Sequence, residues 1–227
     1  MTLFPEGIQT DAVIFDFDGV IVDTEPLHYQ AFQRLLEPAG LGFTWDQYVE
    51  TYMGFDDRDA FLEAFKGTAR GLSSSELAEL IDRKALLFQE IIRGGIIAYP
   101  GVVKLIRDIH RSGLPLAISS GALRSDIDPI LNTLGIEECF DIIVTADDVA
   151  KSKPDPECYR LALARLNQYH ACSIPAHKVL AIEDTPAGIA AAKGAGLQVL
   201  AVTNSYPAEQ LTCADLIMET LDFSKIP

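Results

Sequence analysis

Apolar and polar positions follow two regimes along the chain. Ala12-Val13-Ile14-Phe15 is a continuous apolar run that reads as a buried strand. Helical spacing then takes over. Leu27, Ala31, Phe32, Leu35 and Leu36 mark a first helix, ended by Pro38-Ala39-Gly40. A second, short helix is expected from Thr44 to about Met53, with Gly54 as its breaker. A third begins at Asp56 or Asp57, with Phe61, Leu62 and Phe65 as its apolar positions. Ser73 and Glu76 have capping-box spacing and open a fourth, whose stripe is Leu77, Leu80, Ile81, Leu87, Phe88, Ile91 and Ile92 before Gly94-Gly95.

From Tyr99 the pattern alternates. Pro100-Gly101 opens a helix to about His110, and Leu114 to Ile118 is a strand ending at Ser119-Ser120-Gly121. A helix over 124–134 is closed by Gly135, and Phe140 to Thr145 is a strand. Asp155 is read as an N-cap, with Pro156 at the first position of a helix running to about Tyr169. Lys178 to Ile182 is a strand ending at Glu183-Asp184. Thr185-Pro186 then opens a helix to Gly194 or Gly196. Leu197 to Val202 is a strand, and 216–218 a short last one. Strands alternating with helices imply an α/β fold with a doubly wound parallel sheet, here with an all-helical segment inserted after the first strand. The expected domains are residues 1–23 with 98–227, and residues 24–97.

Each strand ends in a polar cluster, and the clusters should converge on one sheet edge, where such folds bind ligands. In extended backbone Asp16 and Asp18, at i and i+2, point the same way, and Gly19 permits a sharp turn. Alone, Asp-x-Asp-Gly also reads as an ordinary turn. Asp16, Asp18, Glu183 and Asp184 together cannot all stay ionised without a compensating cation, and oxygen-only ligands favour a hard ion, Mg²⁺ first. A bound Mg²⁺ in turn implies an anionic substrate, most simply a phosphate.

Composition narrows the partners. The chain has 227 residues and a net charge of −15, which disfavours nucleic acid. No apolar run is long enough to span a membrane. The amino terminus, Met1 to Glu6, lacks a basic region and an apolar signal core, so a cytoplasmic protein is expected. Cys139, Cys158, Cys172 and Cys213 have neither zinc-site nor disulfide-scaffold spacing and are expected to be small buried apolar residues. A monomer or weak homodimer is expected.

The ordered set of Asp16-x-Asp18, Ser119, Lys153-Pro154 and Glu183-Asp184 resembles the haloacid dehalogenase-like hydrolase superfamily over nearly the whole chain. The nearest subgroup in this respect is the β-phosphoglucomutase and phosphoglycolate phosphatase-like proteins. The resemblance implies a Rossmann-like core with a small helical cap. It makes Asp16 the nucleophile, Asp18 the general acid and then base, and Ser119 a hydrogen-bond partner of the transferring phosphoryl group. Backbone N–H groups around Ser120 and Gly121 lie nearby. Lys153 neutralises charge beside the nucleophile; it is preferred to Lys151 because Lys-Pro fits the family pattern. Asp16, Asp184 and the main-chain carbonyl of Asp18 hold the metal, with Glu183 a direct or outer partner. Read without the resemblance, Ser119 simply ends a strand, Lys153 is a solvated lysine, and Glu183-Asp184 favours the next helix's N-terminus.

For substrate choice the candidates are His28, Arg58 and Lys84. Lys84 lies on the apolar face of its helix, four residues from both Leu80 and Phe88. It either snorkels to the rim or meets a substrate anion. His28 matches a cap histidine of the mutases, and Arg58 is offered as a fork for a second phosphate. After the Ser119 motif the mutases carry Lys-Asn where this chain has Ala122-Leu123. A phosphatase acting on a small phosphorylated substrate is therefore expected, ahead of a phosphosugar mutase, a phosphonate hydrolase or a non-catalytic phospho-ligand binder.

Overall fold

The computed structural model describes residues 4–5, 8–53, 55, 57–68 and 71–223. The expected breaker Gly54 and the alternative helix start at Asp56 lie outside these residues, as do Met1–Leu3 and Glu6 of the amino-terminal stretch. The chain divides into two compact units, Met1–Asp23 with Ile96–Pro227, and Thr24–Gly95.

The first unit is a six-stranded parallel sheet in the order β3-β2-β1-β4-β5-β6. Its strands are β1 (Ala12–Phe15), β2 (Leu116–Ser119), β3 (Ile142–Val144), β4 (Val179–Glu183), β5 (Gln198–Val202) and β6 (Leu216–Met218). β1, β2 and β4 are buried at every position, so their sequences read as unbroken apolar runs rather than alternating ones. The order reverses between β1 and β4, the switch point at which doubly wound sheets bind ligands. Ala12, Ile14, Ala117, Val179, Ala181 and Val199 share one core cluster with Tyr159, Ala162, Leu166, Ile189, Ala191 and Ala192. The latter belong to the crossover helices between β3 and β4 and between β4 and β5.

Strand limits are tighter than the apolar runs suggest. β2 begins at Leu116 because Pro115 has no N–H to give; its carbonyl accepts from Val13. The helix after Lys153 runs Glu157–Tyr169, one residue later than expected. Asp155 does not cap a Pro156-initiated helix: its Oδ1 accepts from the Glu157 amide at 3.0 Å, and Pro156 occupies the cap position. Cys158 is buried and Cys139 half-buried, but Cys172 and Cys213 are exposed, correcting the expectation for both: they lie in connections outside the helices and strands.

The second unit is all-helical, with α1 (Glu25–Leu36), α2 (Trp45–Gln47), a π-helical turn over Tyr48–Tyr52, α3 (Asp57–Phe65) and α4 (Ser74–Arg93). The expected second helix is thus one α-turn continued by a π-turn. Thr44 and Gln47 start it with a capping box that went unread. Ser73 and Glu76 form theirs as expected. The core is aromatic: Phe32, Phe43, Tyr48 and Phe61 are buried, with Phe43 stacked on Tyr52 at 4.2 Å between ring centroids. Leu62, expected inside, is 41% exposed, because Phe61 beside it takes the buried face.

The chain's single tryptophan, Trp45, sits edge-on to Tyr29 at 5.2 Å in this unit, so its fluorescence reports on the helical unit. Truncating the fully buried Phe61 to alanine should destabilise the unit by about 3–5 kcal/mol, read as a lower urea midpoint of Trp45 fluorescence.

Candidate active site

Strand register assembles the site. Phe15 pairs with Ile118 on one side and Ile182 on the other, so the next residues, Asp16, Ser119 and Glu183, arrive side by side. The Asp16 amide continues the ladder by donating to the Ile182 carbonyl at 2.9 Å. β1 itself stops at Phe15, and Phe17–Val22 is a turn closed by Ile21 N to Phe17 O and Gly19 N to Val22 O, both 2.8 Å. Asp18 is thus carried by this turn, where it bridges to Val22, rather than by β1 itself. Asp18 lies half-buried in the turn, beside Gly19 at φ 76°.

Asp16, Glu183 and Asp184 are buried, and each offers a carboxylate oxygen within 4.8 Å of the others. Lys153 is the cation among them. Its Nζ donates to Asp16 Oδ1 at 2.7 Å and Glu183 Oε1 at 2.6 Å, and lies 5.0 Å from the centre of the Tyr159 ring. Lys151 instead pairs with Asp155 at 3.4 Å with its side chain 70% exposed. Burial favours the neutral amine of Lys153. Attraction to Asp16 and Glu183, with their hydrogen bonds, outweighs it and holds the group above the ordinary lysine range. Burial and the Glu183 charge push Asp16 well up despite Lys153. Burial also pushes Asp184 up to about 7, with Glu183 adding to it and the Ser205 hydrogen bond opposing.

Glu183 is saturated. Oε1 accepts from Lys153 and, at 2.7 Å, from the Tyr159 hydroxyl; Oε2 accepts from the Asp184 amide at 3.1 Å and from Thr185 N and Oγ1, both 3.4 Å. Gly188 makes room for it, since a Cβ there would fall within 2.1 Å of both carboxylate oxygens. Asp184 is the opposite case. Its Oδ2 accepts from Ser205, but its Oδ1 is buried with no partner among the described residues. Three buried acids around one lysine, one of them with an orphaned oxygen, fit a small hard cation bonded to oxygen. On this chemistry Asp16 and Asp184 are the carboxylates with capacity to hold it, while the lone pairs of Glu183 are spent on protein donors.

Ser119 is fully buried, and its Oγ also has no partner among the described residues. The Ser120 amide donates to the Val144 carbonyl at 3.0 Å, and its hydroxyl accepts from the Ala122 amide at 3.0 Å. Gly121 is exposed just beyond.

In the helical unit Lys84 does not snorkel. It is 2% exposed, donating to Asp57 Oδ1 at 2.6 Å and His28 Nδ1 at 2.7 Å, 5.0 Å from the Phe32 centroid. His28 stacks on Phe88 at 4.2 Å. Burial, then Lys84, hold it well below the usual histidine range, so the neutral ring accepts from the ammonium. Arg58 is exposed in the first turn of α3. Sequence reasoning passed over Asp57, Tyr159, Asn204 and Ser205. Asn204 and Ser205 do carry the polar-after-strand signal used elsewhere, whereas Tyr159 reads as core at its helical spacing.

An open parallel α/β sheet with clustered acids and a lysine at its switch point defines the class. The chain belongs to the haloacid dehalogenase-like hydrolase family, whose model matches residues 13–202. It is 32% identical over 189 residues to a phosphorylated carbohydrates phosphatase of Thermotoga maritima, covering 83% of this chain and 82% of that one. It is 31% identical over 215 residues to β-phosphoglucomutase of Bacillus subtilis, covering 91% and 88%. The crystal structure of CbbY from Rhodobacter sphaeroides in complex with xylulose-1,5-bisphosphate superposes with a TM-score of 0.78 at 28% identity, over 94% of this chain and 95% of that one. Among the described residues no helix is long and apolar enough to cross a membrane.

Two outcomes follow in metal-free protein. An aspartate raised from 3.8 to about 7 stays protonated in the fold but ionises when unfolded, so its contribution is full at low pH and is lost as pH rises towards 7. Urea stability in chelator should therefore fall by a few kcal/mol between about pH 4 and 7 relative to Asp184→Asn. Tyr159→Phe removes a donor from fully buried Glu183 and should lower urea stability by about 1–3 kcal/mol.

Proposed function

We propose that the chain is a Mg²⁺-dependent phosphatase that hydrolyses a small phosphorylated metabolite through an aspartyl-phosphate on Asp16. The observation that carries this reading is the Lys153 ammonium, 2.7 Å from Asp16 and 2.6 Å from Glu183, in the acid cluster where Asp184 Oδ1 has no partner among the described residues. Phosphoryl transfer needs placement and charge stabilisation above all, and this arrangement offers both.

In the first step an Asp16 oxygen forms a bond to phosphorus as the ester P–O bond breaks, and Asp18 delivers its proton to the departing alkoxide. In the second, Asp18 takes a proton from water, whose oxygen bonds to phosphorus while the Asp16–phosphorus bond breaks and inorganic phosphate leaves. Lys153 offsets the repulsion between the Asp16 carboxylate and the phosphate dianion, and its tie to Glu183 aims it. The buried Ser119 hydroxyl donates to a phosphoryl oxygen, with Gly121 nearby. Asp16, Asp184 and the Asp18 carbonyl would hold Mg²⁺, which when bound supplies the remaining positive charge against the phosphoryl oxygens.

His28, Arg58 and Lys84 are assigned to substrate choice. Within the helical unit Asp57 matches the charge of Lys84. The identity with β-phosphoglucomutase favours a second reading, a phosphosugar mutase, against which Ala122-Leu123 counts. Transfer of labelled phosphate between sugar hydroxyls, primed by a bisphosphate, would mark a mutase; release of inorganic phosphate alone would exclude it.

Purified protein with Mg²⁺ should release phosphate from a generic aryl phosphate. Asp16→Asn should cut the rate by on the order of 10³-fold or more, as loss of a covalent nucleophile does. No turnover on a broad panel of phosphorylated metabolites, or an unimpaired Asp16→Asn, would overturn the proposal.

A further inference from the structure

The asymmetry of Asp184 has a visible cause. Ser205, in the turn just after β5, donates its hydroxyl to Asp184 Oδ2. Its neighbour Asn204 donates Nδ2 to the Gly19 carbonyl at 2.7 Å. Consecutive side chains of one turn thus tie down the loop after β1 and the end of β4 together. The packing between the tied groups is close. A Cβ on Gly19 would fall 1.8 Å from Asp184 Oδ2 and 2.8 Å from Ser205 Oγ. Gly19 and the Ser205 hydroxyl both close in on Oδ2, and the Ser205 hydrogen bond opposes a rotation of the carboxylate that would exchange its two oxygens.

We propose that Asn204 and Ser205 form a strap that sets the cation site, fixing which oxygen of Asp184 is offered and how far it stands from the Asp18–Gly19 segment. The inference rests on the metal-dependent reading above. Both are positioning residues: they act through Asp184 and Gly19 and touch neither cation nor substrate. Without the Ser205 hydroxyl, Asp184 keeps its backbone place but loses the bond that spends Oδ2. Its carboxylate can then turn away from the neighbouring Glu183 and Asp16 charges. Partners that orient a ligating carboxylate are worth about 10–100-fold in metal affinity.

Isothermal titration of Mg²⁺ into wild type, Ser205→Ala and Ser205→Thr tests this without any turnover measurement. Ser205→Ala should bind at least about tenfold more weakly, and Ser205→Thr, which keeps the hydroxyl, within about twofold of wild type. The rise in melting temperature that Mg²⁺ induces should shrink in Ser205→Ala and survive in Ser205→Thr. A merely structural hydroxyl would instead lower melting equally with and without Mg²⁺. If Ser205→Ala does not fold, Asn204→Ala cuts the other half of the strap and should show the same weakening. Wild type and the alanine variant binding Mg²⁺ equally would overturn the strap alone; wild type binding no Mg²⁺ would overturn both the strap and the metal-dependent reading.

Discussion

The ammonium of Lys153 is the constraint around which the core unit is arranged. Charges are costly to bury, and here a lysine and two acids share one pocket with a third acid adjoining. Removing one partner of such a buried pair typically costs about 3–5 kcal/mol, because the charge left behind has nowhere to go. Every nearby element contributes to the balance. β1 brings Asp16, β4 brings Glu183 and Asp184, the loop before Glu157 brings Lys153, and the helix after it brings the Tyr159 hydroxyl. One cation among these three acids leaves negative charge uncompensated, an electrostatic setting that a further cation would fit.

Within this balance neighbouring carboxylates are given different tasks by their surroundings. Glu183 has so many donors that it serves as an anchor for Lys153. Asp184, one residue on, has among the described residues one side-chain partner, Ser205, and a bare oxygen. The difference comes from small features: Gly188 admits the Glu183 carboxylate against the following helix, and Gly19 admits Asp184 against the first loop. Two missing methyl groups therefore shape the site as much as the charged groups do.

Much of this was legible in the sequence. Asp16, Ser119, Glu183 and Asp184 each follow a buried apolar run. Once a parallel sheet is inferred, positions at the ends of adjacent strands must meet, and the register between Phe15, Ile118 and Ile182 brings them together. Lys153 was marked by its proline and by the pattern it shares with the family. The unreadable parts depend on geometry that no local signal carries. Tyr159 looks like core because all but its hydroxyl is core. Asp57 looks like an ordinary first-turn acid until Lys84 turns inward to meet it. The partial engagement of Ser120 and the exposure of Cys172 and Leu62 follow from which neighbour wins a position, a question of packing rather than of pattern.

The central strand is also the first to be made. β1 pairs on one side with β4, joining position 12 to position 179. During synthesis the ribosome must release most of the chain before that ladder can close. Until then Asp16 lacks Glu183 and Asp184, so a polypeptide that stops short of β4 carries the Asp16 carboxylate without the two acids it meets in the fold. Long-range parallel pairing is slow to form. In this topology the same slowness holds the acid cluster apart until β4 has been made and paired.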